Sequence, residues 1–177
     1  MLRSSCPAGS LLVELSRQGD RFGHCIAAEL SGSRYDLLRS CEGNEVEEWP
    51  PSPPLQQLSQ EQHAAGPVAL MVGMAGHSHW SLSLEAKDDG RLVFDVACRV
   101  GKAVAWLGSQ YEILRPFCQS SRWEIGDCLV ELATVADNSQ IQNHSGRMAV
   151  RPDDSSTEVP HTFRWQYQVS IGRRPGV

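Results

Sequence analysis

The stretch Phe163-Arg164-Trp165-Gln166-Tyr167-Gln168-Val169-Ser170-Ile171 decides the fold. Its apolar residues occupy every second position, with arginine, glutamine and serine between them. That is the period of a half-buried β-strand, because successive side chains of a strand point to opposite faces. Leu92, Phe94, Val96, Cys98 and Val100 repeat the pattern against Val93, Asp95, Ala97 and Arg99. Ser78, Trp80, Leu82 and Leu84 repeat it against His79, Ser81, Ser83 and Glu85. The segment Lys87-Asp88-Asp89-Gly90 joins these two runs, and Asp-Gly accommodates the positive φ of a tight hairpin. A second hairpin is read over residues 11–16 and 22–30, turning at Gln18-Gly19-Asp20.

Further strands are expected at residues 68–74, 110–114 and 128–135, with 104–107 leading into one of them. Helical periodicity is weak. Residues 35–41 are read as one short helix, and Leu55 with Leu58 mark another. Many short strands separated by turns predict an all-β protein, an antiparallel sandwich or barrel, forming one β domain over residues 1–177. Two stretches lack the strand pattern and are read as long surface loops. Residues 42–66 are acidic and proline-rich, and residues 137–161 are rich in Asp, Asn, Ser and Gln.

A chain of 177 residues can bury a substantial core, and 41% hydrophobic residues exclude wholesale disorder. The net charge of −5 argues against nucleic-acid binding by phosphate neutralisation, which needs a basic face. That charge is concentrated. Residues 42–66 hold five acids and no base, so the rest of the chain balances at 16 of each sign. The basic residues are 14 Arg against Lys87 and Lys102 alone, which favours planar, paired cations over loosely solvated ones. No apolar run is long enough for a membrane span, and Pro7, Gly9 and Ser10 interrupt the N-terminal run a signal peptide needs. A cytoplasmic setting is the expectation. Cys6, Cys25, Cys41, Cys98, Cys118 and Cys128 contain no CxxC pair and are read as reduced thiols.

The run Gly76-His77-Ser78-His79-Trp80 carries the main chemical alternative. Two histidines at i and i+2 of a strand share a face, close enough to ligate one transition metal. With the later Glu85, this His-x-His is similar to the first motif of the cupin family of double-stranded β-barrels. The resemblance implies a metal-binding barrel, or a metal-dependent small-molecule enzyme, centred on His77 and His79. The sequence departs from the motif: Glu85 lies about 20 Å beyond His79 along a straight strand. No other cofactor is predicted. Gly76-x-Ser78 also begins like a nucleophile elbow, but Trp80 stands where the closing glycine belongs. P-loop, dinucleotide-binding and HExxH patterns are missing from the sequence.

The favoured reading is a non-catalytic binding or assembly module acting through protein–protein contact, with a protein partner or a second copy of the chain. Its candidate contact residues are Glu47, Glu48, Trp49, Pro50 and Pro51, in the acidic loop. Consecutive prolines favour the polyproline II shape that partner domains recognise, and Trp49 before them is the indole expected to be exposed. The same prolines can instead stiffen a loop that covers a sheet edge. A third possibility is a sugar- or lipid-binding sandwich with a concave cleft and exposed Trp.

Overall fold

The alternating runs are realised as two antiparallel sheets of seven strands, packed face to face as a sandwich that does not close into a barrel. The computed structural model describes residues 1–135 and 137–175. The first four strands form a meander in the first sheet: β1 (Leu2–Cys6), β2 (Gly9–Gln18), β3 (Arg21–Leu30) and β4 (Ser33–Ser40). The chain then crosses to the second sheet for β5 (Gln57–His63), β6 (Gly66–Ala75), β7 (Ser78–Ala86) and β8 (Arg91–Val100). It returns to place β9 (Ser109–Ile113) beside β4 in the first sheet. The hairpin β10 (Arg122–Ile125) and β11 (Cys128–Thr134) extends the second sheet, and β12 (Ser139–His144) and β13 (Arg147–Pro152) complete the first. Last comes β14 (His161–Arg173), seated between β8 and β11.

The inward rows of both sheets form one hydrophobic cluster. Trp80 and Trp165 meet edge to face with ring centroids 6.1 Å apart, and Phe94 stacks on Tyr167 at 4.7 Å. All six cysteines are free thiols. Among the described residues no helix is long and apolar enough to cross a membrane.

Neither expected helix forms, for identifiable reasons. Residues 35–41 fall mostly in β4, where Leu37 and Leu38 are both buried. A bulge between Ile26 and Ala27 shifts the β3–β4 register there, so two neighbouring side chains turn inward and the period of two is lost. Leu55 is buried in a loop, and Leu58 lies in the edge strand β5. Apart from the half-buried Leu58 that strand is polar and exposed, and it is held by backbone pairing to β6, so side-chain hydropathy does not report it. The acidic loop therefore ends at residue 56, not 66. Residues 137–161 are not one loop either: they contain the β12–β13 hairpin, turned by Ser145 (φ 47) and Gly146 (φ 80). Two consecutive positive φ values make a type I′ turn, for which glycine is the natural residue.

Candidate functional site

Residues 41–56 connect β4 to β5 and act as a strap across one end of the sandwich. Both ends of the strap are hydrogen-bonded to sheet backbone. The Cys41 N–H donates to the Gln110 carbonyl at 2.9 Å, and Arg21 Nη1 donates to the Glu42 carbonyl at 3.1 Å. At the far end, the Phe22 N–H donates to Leu55 O at 2.7 Å and the Gln56 N–H donates to Val72 O at 2.8 Å. Between them Ser52 Oγ donates to Gln110 O and accepts from Gln110 N. Pro50, Pro53, Pro54 and Leu55 are buried. Proline suits this role because it brings no backbone N–H that burial would leave unpaired. The strap lies so close to β6 that a Cβ on Gly73 would sit 1.8 Å from Pro54 O.

Folding the strap down brings Glu47, Trp49 and Pro51 against Trp106, from the β8–β9 loop, and Gln110 on β9. They line a shallow groove of about 250 Å³. Trp106 and Gln110 are shared with a second depression of about 480 Å³ that continues over β13 and β12 to His144 and Arg147. The two form one trough on the outer face of the first sheet, divided by the Trp106 indole. That indole is fixed: its Nε1 donates to Pro51 O at 3.2 Å, and the Arg151 guanidinium lies 4.4 Å over its ring. Trp49 is half-buried, packed on the edge of the core. Among the described residues its Nε1 has no acceptor, and the side chains of His144 and Arg147 make no hydrogen bond or ion pair, although Glu112 is the neighbour of Arg147 across β9 and β13. His144 and Arg147 stand opposite each other across β12 and β13.

Of the five residues nominated in the acidic loop, three line this trough: Glu47, Trp49 and Pro51. The other two serve the fold. Pro50 is buried, and the Glu48 carboxylate is ion-paired with Lys102.

The two histidines part company. His77 is exposed in the β6–β7 turn, before β7 begins, so it does not share the strand geometry of His79. His79 is exposed on the outer face of β7, opposite Met74 on one side and Arg99 on the other. Among the described residues no three His, Cys, Asp or Glu side chains gather as a metal site. Glu85 lies further along the same face and is ion-paired with Lys87. Ser78 points inward and is fully buried in a strand, with no hydrogen-bond partner for its hydroxyl, so the nucleophile-elbow geometry is not formed. His79 and Arg99 instead rim a depression of about 460 Å³ on the outer face of the second sheet.

A buried polar chain between the sheets was invisible in the sequence. His24 Nε2 is hydrogen-bonded to the Tyr111 hydroxyl at 2.8 Å, and that hydroxyl to the Tyr167 hydroxyl at 2.5 Å. Burial pushes His24 down to about 4 and Tyr167 up to about 12, so all three rings are neutral at physiological pH. Tyr111 is raised by burial as well. Glu42, at the root of the strap, is buried with one carboxylate oxygen unpartnered. Burial pushes its pKa up to about 7, opposed by the Ser40 hydroxyl and the Arg21 guanidinium. None of these groups opens onto the surface depressions just described.

Fold and surface together define an antiparallel β-sandwich with a loop-built trough on one outer face and a strand-built depression on the other. No protein-family model matches the chain, and no curated protein matches it.

Proposed function

We propose that the protein is a non-catalytic binding module acting through protein–protein contact, and that the trough at Trp49 and Trp106 receives an extended segment of a partner. The observation that carries this reading is the convergence of two indoles and Pro51, from two separate loops, beside rim donors with no partner of their own. Tryptophan supplies a large contact area for little lost rotamer freedom, which is why it is frequent among the residues that dominate interface energies. The Trp49 N–H is available for a backbone carbonyl of the incoming segment. Charge orients it: the Glu47 carboxylate lies at one end of the trough and the Arg147 guanidinium at the other. A segment with a basic group at one end and an acidic group at the other matches that polarity.

Selection of random peptides displayed on phage tests the reading. The expected outcome is an enriched consensus carrying an aromatic residue or proline between groups of opposite charge. Replacing Trp49→Ala is expected to weaken the selected peptides by about tenfold or more, equivalent to about 1.4 kcal/mol. No enrichment, or binding indifferent to Trp49→Ala in a protein that remains folded, overturns it.

A further inference from the structure

We propose that the depression on the outer face of the second sheet is a separate binding site for a medium-chain aliphatic carboxylate, anchored by Arg99. The site lies on strands, and its composition follows from their register. One outward row runs Met74, His79, Arg99, Thr162 across β6, β7, β8 and β14. The next runs Val72, Ser81, Ala97, Arg164. Directly paired side chains on adjacent strands stand about 5 Å apart at Cβ, so each row is a set of touching neighbours.

Three features single out the ligand class. The first is the cation. Among the described residues eight of the 14 arginines are ion-paired to carboxylates, Arg164 to Asp95 among them, and Arg99 is one of the six that are not. Among the described residues Arg99 has no carboxylate partner, and no Asp or Glu lines the depression. His79 and Thr162 flank it, and Gln57 stands across the floor. A guanidinium presents paired donors that match a carboxylate.

The second is the apolar wall. Val72 and Met74 line the depression and Leu70 continues their row beyond it; the three are 47%, 46% and 39% exposed on the outward side of β6, unusual for large hydrophobic side chains side by side. At about 3.3 Å per residue they make a track about 13 Å long, the scale of a medium acyl chain. The third is width. Ser81 and Ala97 keep the floor low between β6 and β8, which are two strand spacings or about 10 Å apart. That channel suits one aliphatic chain better than a protein face, and a volume near 460 Å³ falls in the range of small-ligand sites. The carboxylate sits at Arg99 and His79, and the chain runs over Ser81 toward Val72 and Leu70.

The test uses the full chain and four probes: octanoate, octan-1-ol, acetate and a short peptide with a free C-terminal carboxylate. Binding is followed by titration calorimetry and by the NMR signals of the Met74 methyl and the His79 ring. Octanoate is expected to bind and to move both signals. Arg99→Gln and Val72→Ser are each expected to weaken it by about tenfold, with unchanged thermal melting because both positions are exposed. Octan-1-ol and acetate should each bind at least about tenfold more weakly, since each keeps only half of the recognition. Trp49→Ala should leave octanoate binding unchanged, which separates this site from the trough. Equal binding of acetate would reduce the site to an anion contact, and equal binding of octan-1-ol would reduce it to an apolar patch. Tighter binding of the peptide would make it a peptide site. Each of those results, no octanoate binding at all, or indifference to Arg99→Gln, overturns the proposal.

Discussion

The trough on the first sheet and the depression on the second both present a guanidinium without a carboxylate partner among the described residues, but they are made differently. At the trough, two indoles arrive on loops and are fastened over the sheet by the strap. At the depression, Val72, Met74, His79, Ser81 and Arg99 sit on consecutive strands, where backbone register alone sets their spacing. The lesson is one of dependence. The strap supplies Glu47, Trp49 and Pro51 to the trough but only Gln56 to the depression, so loosening it should damage the trough far more, and the strap is where the comparison can be broken.

The largest effect is expected at Gly73. A side chain there meets the backbone of Pro54 and Gln56, which cannot yield as a flexible side chain would. Gly73→Val is expected to cost about 3 kcal/mol or more, as overpacking at a backbone contact does. Urea denaturation measures the loss. Proteolysis in the exposed segment Gly43–Val46 should accelerate as the strap lifts, and peptide binding at the trough should fall with it. Gly73 also lines the depression between Val72 and Met74, so Trp49→Ala, not this variant, is the control for independent octanoate binding.

Glu42 gives an effect of nearly the same size with the opposite sign. Its pKa in the folded protein is about 7, against an ordinary value of 4.5, so the folded state binds more protons between those values. Stability is then full below pH 4.5, falls as pH rises through 7, and levels off above it. The shift corresponds to about 3 kcal/mol. Glu42→Gln should remove that slope, stabilising the protein by about this amount at alkaline pH and hardly at all near pH 4.5. Thermal melting across the pH range checks it. A wild-type melting temperature that rises from neutral to alkaline pH contradicts the burial argument.

How much of this could be read from the residues follows the same division. Strands that bury one face and wet the other, such as β7, β8 and β14, were legible because alternation is written directly in the chain. The bulged β4 and the edge strands β5 and β12 were not, since register and backbone pairing hold them and their side chains keep no clean period. The acid, Pro and Trp49 content marked residues 41–56 as unusual, but nothing local said that Trp106 would meet Trp49. His77 and His79 were adjacent in spacing, yet the strand begins only at Ser78 and leaves His77 in the turn. Arg99 was legible as an outward residue of β8. That it lacks a carboxylate partner depends on β7 and β14, which only the fold places beside it.

The smallest stability effects should come from Arg99 and Arg147, two of the six arginines without a carboxylate partner among the described residues, and they sharpen the comparison most. A surface ion pair contributes at most about 1 kcal/mol, and a surface cation with no partner contributes less. Arg99→Gln and Arg147→Gln are therefore each expected to shift unfolding by no more than about 0.5 kcal/mol. Arg21→Gln is the internal contrast. That side chain is buried, pairs with Asp20 and holds the Glu42 carbonyl, so its loss should cost about 3 kcal/mol and loosen the strap. Arg147→Gln should weaken the acidic end of selected peptides without touching octanoate, and Arg99→Gln should do the reverse. If either silent substitution proves strongly destabilising, its guanidinium is part of the fold and is not held free for a ligand.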